Sequence, residues 1–166
     1  MALDATARSA TANRYSTVAE ADAYHANHLY ATVWTSAVLA QKEAALIWAT
    51  RLLDEQVDWC GEKSTKDQAL RWPRWYVADR DGYDVGMTVI PGWLKNATAE
   101  MARHLLAGDR TTERSIGLQS VTADTVEVVF DKHDVKPVLP PSVRSIVEPY
   151  GRVTGPGSGT AQLVRA

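Results

Sequence analysis

The chain has 166 residues, enough for one domain with a self-standing core, and its apolar fraction of 45% and charged fraction of 23% are ordinary for a globular protein. Twenty acidic and eighteen basic residues give a net charge of −2 with both signs spread along the chain, which excludes the basic footprint of a dedicated nucleic-acid binder. A single cysteine, Cys60, excludes an internal disulfide framework and a cysteine-rich zinc site, and no run approaches the roughly 18 apolar residues of a membrane span.

No positively charged start leads into an apolar stretch, so a signal peptide is not expected, and a free thiol fits a reducing cytoplasm. Six Trp and six Tyr stand beside one Phe, so most rings carry a polar tip that wants a partner or an interface.

Residues 1–15 are rich in Ala, Thr, Ser and Arg without a period, the composition of a mobile terminus. Thr17 and Glu20 form a capping box that opens a helix of about three turns, with Val18, Ala21, Tyr24, His25 and His28 on one face. His25 and His28 are spaced to share a metal, but no third ligand sits at a suitable local spacing, and helix-packing histidines are the better reading. Thr35 or Ser36 is the expected cap of a long helix over about 38–56. There Leu39, Ala45, Leu46, Ala49, Leu52 and Leu53 recur at helical intervals, and Ile47 and Trp48 widen the apolar surface.

Residues 57–63 break the helical period. Ala69 to Val77 is an aromatic, proline-punctuated strap, extended before Pro73. Asp79 to Asp84 is a turn tightest at Asp81-Gly82, and its acids lack the spacing of a calcium loop. Pro91 starts a third helix whose buried stripe is Leu94, Ala97, Met101 and Leu105, and Gly108 ends it. Alternation over residues 115–121 and 125–130, about a turn at Thr122-Ala123-Asp124, predicts a hairpin spanning about 115–131. A short helix runs from Ser142 towards Pro149. Residues 151–160 hold four glycines and read as a flexible linker, so that 151–166 forms an arm carrying Gln162, Leu163, Val164 and Arg165.

The expected fold is therefore mainly α: a small bundle of three main helices and a short C-terminal one, with a β-hairpin and an extended arm. Residues 16–150 form its single domain.

No nucleophile elbow, phosphate-cradling loop, zinc-protease motif or dinucleotide fingerprint is present, so no enzyme, cofactor or metal is expected. One stretch mixes cations and rings. Arg71, Trp72, Arg74, Trp75 and Tyr76 have the composition that grips single strands by charge and stacking, which makes a single-stranded-DNA-binding module over 71–76 one reading. The competing reading packs Trp72 and Trp75 on the long helix while the arginines pair with Asp67, Asp79 and Asp81.

The order of features narrows the choice. Tyr15 to Tyr24, Trp34, Gln41 to Leu46, Ala49 to Asp54, Gly61, the string Gln68-Ala69-Leu70-Arg71-Trp72-Pro73-Arg74 and Val89-Ile90-Pro91 together resemble the head–tail adaptor (head completion) proteins of tailed phages. That resemblance includes the group often labelled DnaT-like single-stranded-DNA-binding. It covers about Tyr15 to Tyr150, with a similar glycine-rich tail. Trp75-Tyr76 depart from the pattern, where a small turn would be expected, as does the charge of residues 79–89.

The resemblance implies a structural connector of the virion's head–tail interface, assembled in the host cytoplasm. Its subunits, typically twelve, form a homo-oligomeric ring that docks on the portal protein. The ring extends the channel for passing double-stranded DNA and presents a platform to a tail or stopper protein. The Gln162–Arg165 arm would then contact the portal, and Trp48, Arg71, Trp72, Arg74, Trp75 and Tyr76 would lie at subunit or strap contacts.

Overall fold

Thr17 caps the first helix, α1 (Val18–Ala26), as its sequence predicts: its Oγ1 accepts from the Glu20 N–H at 3.2 Å, and its own N–H donates to Glu20 Oε2 at 2.8 Å. The computed structural model describes residues 4–111, 120–123, 126–129 and 137–154. Mainly helical, it contains a short α2 (Thr32–Thr35), the long α3 (Leu39–Gln56), α4 (Gly92–Ala107) and α5 (Pro141–Val147), the last running into a single 3₁₀ turn over Glu148–Tyr150.

The cap of α3 differs from expectation. Thr35 and Ser36 close α2 instead, and the entry to α3 is held by Gln41, whose Oε1 accepts from the Val38 N–H at 3.2 Å. A polar side chain three residues into the helix thus replaces the expected hydroxyl cap. Pro91 sits one position earlier than predicted, as the residue before the first helical turn of α4.

The core forms where α3 meets α4, its principal neighbour, with α1 against both and α5 closing the far side of α4. Leu46, Ala49 and Leu53 of α3, Leu94, Ala97 and Met101 of α4 and Val143 and Val147 of α5 are all buried in one core cluster. Trp34 is fully buried, its Nε1 donating to Asp22 at 2.8 Å with the Lys42 ammonium 5.3 Å from its ring.

Three two-stranded antiparallel sheets decorate this bundle: β1 (Val57–Trp59) with β6 (Gly151–Val153), β2 (Glu62–Lys63) with β3 (Arg74–Trp75), and β4 (Ser120–Ala123) with β5 (Val126–Val129). The last is the predicted hairpin, but Ala123 pairs with Val126, so Thr122 and Ala123 belong to the strand and not to the turn. Residues 115–119, 124–125 and 130–131 of that expectation lie outside the described residues.

The described residues near both ends of the chain are held by hydrogen bonds. Residues 4–15 are folded onto the body. Asp4 accepts from the hydroxyls of Ser9 and Thr11 and the N–H of Thr6, bonds that hold its carboxyl well below the usual range. Tyr15 is fully buried. Gly151 to Thr154 are likewise fixed: Gly151 pairs with Trp59, and the Thr154 N–H donates to the Gln56 carbonyl at 2.8 Å. Gly151 serves close approach, since a Cβ there would lie 2.7 Å from Val57 Cγ1. Residues 155–166, including Gln162, Leu163, Val164 and Arg165, lie outside the described residues.

Candidate nucleic-acid interface

The strap between β2 and β3 is held from within by Gln68. Its Oε1 accepts from the Thr65 N–H and the Ser64 hydroxyl at 2.9 Å, and its Nε2 donates to the carbonyls of Leu70 and Pro73 at 3.0 Å. A buried amide satisfied on both sides fixes a loop that has little regular structure of its own. The Trp72-Pro73 bond is cis.

Arg74 then anchors the strap to the turn after β1. Its Nε donates to the Cys60 carbonyl at 2.6 Å, and its terminal nitrogens reach the carbonyls of Trp59, Gly61 and Arg71. The expected partners, Asp67, Asp79 and Asp81, do not take it. Gly61 permits the approach: its φ is +71°, and a Cβ would collide with the Trp75 carbonyl at 2.0 Å.

Trp72 points inward, 1% exposed. It meets Trp93 and Trp59 edge to face at 5.1 and 5.7 Å, and Trp93 stacks on Tyr150 at 3.8 Å. The long helix does supply a partner for the strap backbone, through Asp54 at its C-terminal end. Asp54 Oδ1 accepts from the Tyr15 hydroxyl at 2.5 Å and Trp59 Nε1 at 3.2 Å, and Oδ2 accepts from the Arg71 N–H at 3.2 Å. The Tyr15 oxygen in turn accepts from the Trp72 N–H at 3.3 Å. Burial pushes the Asp54 carboxyl up, against these hydrogen bonds, and drives the Tyr15 phenol well above its ordinary range.

This hub gives a direct test. Asp54→Asn puts an NH₂ where a carboxylate oxygen accepts, so one set of donors loses its partner. We expect ~1–3 kcal/mol of destabilisation in urea unfolding. A midpoint within error of the parent would show that the hub does not hold the strap.

The candidate site residues therefore divide. Trp72 and Arg74 are structural and face inward. Arg71 is exposed, Trp75 is 38% exposed with its Nε1 donating to the Ser64 carbonyl at 3.1 Å, and Tyr76 is 82% exposed. The Trp75 and Tyr76 rings lie 6.3 Å apart at 40°. Tyr76 holds φ at +58°, a conformation costly for a residue with a bulky side chain. Lys66 is exposed two residues beyond the Ser64 contact. Trp48 of α3 is 40% exposed, with the Arg51 guanidinium 4.9 Å from its ring.

Asp54, Tyr15 and Gln68 are site residues that the sequence pattern does not single out. Asp54 carried a faint signal, an acid on a helix otherwise burying Leu46, Ala49 and Leu53. Gln68 carried none that a local pattern could expose.

Among the described residues no group of histidine, cysteine or acidic side chains is arranged to hold a metal, and no helix is long and apolar enough to cross a membrane. Two histidines instead flank a buried glutamate: Glu100 of α4 has Arg103, His104 and His28 around its carboxylate.

A small helical bundle that pins a loop from behind and turns two rings and a cation outward has the form of a ligand-binding module. The family model described as "Putative DnaT-like ssDNA binding protein" matches residues 1–166, and the chain belongs to that family. No curated protein and no solved structure matches the chain.

This family match overturns the head–tail connector reading, together with the virion role, the twelve-copy ring, and the portal, tail or stopper protein and passing duplex as partners. Trp59, Trp72, Trp93 and Tyr150 pack against one another within the subunit, so they do not furnish the aromatic lateral faces that a ring would need.

Proposed function

We propose that this chain binds single-stranded DNA, without catalysis, along the outer edge of the strap, with Trp75 and Tyr76 stacking on bases and Arg71 and Lys66 meeting phosphates. The observation that carries the reading is the pair of adjacent exposed rings on a loop immobilised by Gln68 and Arg74. Membership of a family described by single-strand binding supports it. Stacking is tolerant of sequence because every base has a π-face, so the expected preference is for unpaired bases and not for a particular motif. With a net charge of −2, affinity should rest on few phosphate contacts and fall only moderately with salt, at a slope of about −0.7 per phosphate met.

The test is fluorescence anisotropy of a labelled oligo-dT strand against its duplex at low salt. Trp75→Ala should cost ~1–3 kcal/mol of binding, about five- to 150-fold, with little change in melting temperature. Tyr76→Gly removes a ring and a strained backbone together, so binding falls while stability holds or rises. Wild-type protein that leaves the strand's anisotropy flat at micromolar concentrations defeats the proposal.

A further inference from the structure

Arg14 is 9% exposed, and its Nε and Nη1 are sealed from solvent without a hydrogen-bond partner among the described residues. A buried guanidinium without an acceptor is among the least favourable arrangements in a protein interior, because desolvation removes the water that would otherwise stabilise the charge. The acids that pin the N-terminal loop and the strap are already committed. Asp4 accepts from Thr6, Ser9 and Thr11, and Asp54 from Tyr15, Trp59 and Arg71. Among the described residues, then, Arg14 is a cation with two donors, Nε and Nη1, that have no acceptor, and a phosphate could supply one.

Its position ties it to the strap. Arg14 immediately precedes Tyr15, whose N–H donates to Thr50 Oγ1 of α3 at 3.1 Å and whose hydroxyl accepts from the Trp72 N–H. The N-terminal loop that carries Arg14 is fastened to the same strap, the Ala69 N–H donating to the Ser9 carbonyl at 3.0 Å. Exposed Arg8 lies on that loop and exposed Arg71 on the strap itself.

We infer that Arg14 is a phosphate-binding residue, filled by a backbone phosphate of the bound single strand where the N-terminal loop meets the strap. The assignment of the phosphate to a strand rests on the proposed function; the anion site itself does not.

Two measurements on the full chain separate these. Sodium phosphate, compared with sodium chloride at equal ionic strength, should raise the melting temperature of the wild type but not of Arg14→Met. In the anisotropy titration Arg14→Met should bind oligo-dT about tenfold more weakly, with a salt slope shallower by about one. In chloride the variant should melt no lower than the wild type, because the charge goes while an apolar stem of similar length still packs.

An Arg14→Met chain that keeps the phosphate response and the wild-type salt slope overturns the inference. So does one that melts well below the parent in chloride, since the arginine would then already be paired. Loss of the phosphate response with oligonucleotide binding unchanged keeps the anion site and refutes its occupation by a strand. Loss of that response in a protein that binds no strand at all leaves Arg14 with free phosphate and refutes the proposed function.

Discussion

Trp72→Ala is expected to lower stability by ~3–5 kcal/mol, a large share of the ~5–15 kcal/mol by which a domain of this size is stable. The ring is 1% exposed and joins Trp59, Trp93 and Tyr150 in one cluster, which ties the strap to the start of α4 and the turn after α5. Truncation leaves a cavity the size of an indole, and the remaining rings cannot collapse into it without breaking the stack on Tyr150. Urea unfolding should show a lower midpoint at unchanged slope. Trp72→Phe should cost far less, ~1–2 kcal/mol, because it also removes an indole N–H that is buried without a partner among the described residues. A Trp72→Ala chain as stable as the parent would mean that the cluster is not part of the core.

Glu100→Ala should be comparably damaging, ~3–5 kcal/mol at neutral pH, because it strands Arg103 in a half-buried site. Glu100 is 3% exposed; its Oε1 accepts from Arg103 Nη2 at 2.6 Å and lies 3.4 Å from His104 Nε2, and its Oε2 is 3.7 Å from His28 Nε2. Burial alone would raise this carboxyl, but the hydrogen bonds from His104 and Arg103 prevail and hold it well below the ordinary value of 4.5. The sign follows. A depressed carboxyl contributes stability above pH 4.5 and loses it as pH falls towards the folded-state value.

His25 adds a second window in the same direction. Burial lowers its pKa below the ordinary 6.5, so the unfolded chain takes up a proton that the fold resists, and stability declines as pH drops below 6.5. Asp54 acts the other way: its raised carboxyl contributes stability in full below 3.8 and loses it as pH rises through the folded-state value. Unfolding free energies measured from pH 8 to 3 should therefore fall in two steps. The difference between wild type and Glu100→Ala should shrink only in the lower one. A gap constant across pH 3 to 8 would contradict the role given to Glu100.

The helices were legible because their signals are local. Thr17 and Glu20 sit three residues apart, and Leu46, Ala49 and Leu53 repeat at the helical period, so cap and face could be read directly. What escaped depends on partners distant in sequence. Trp72 and Trp75 look equivalent, three residues apart in one aromatic run, yet one is enclosed by Trp93 and Trp59 and the other faces solvent. Nothing short of the tertiary fold separates them. The same holds for Tyr15, whose hydroxyl meets a carboxylate 39 positions away, and for Gly151, whose composition suggests slack but whose missing Cβ lets β6 close on β1. The N-terminal loop misled because Ser and Thr favour disorder on average, whereas here two of their hydroxyls converge on one acid, Asp4.

The division among the indoles has an optical consequence. Trp34, Trp59 and Trp72 are enclosed and Trp93 is half-buried, while Trp48 and Trp75 open to solvent at 40% and 38%. A collisional quencher such as iodide should therefore reach two emitters and spare the rest. Trp48→Phe would leave Trp75 as the single solvent-open indole, so that the quenchable, red-shifted part of the emission reports on the strap alone. Without any attached dye, the chain then signals whether its outer edge is free or covered.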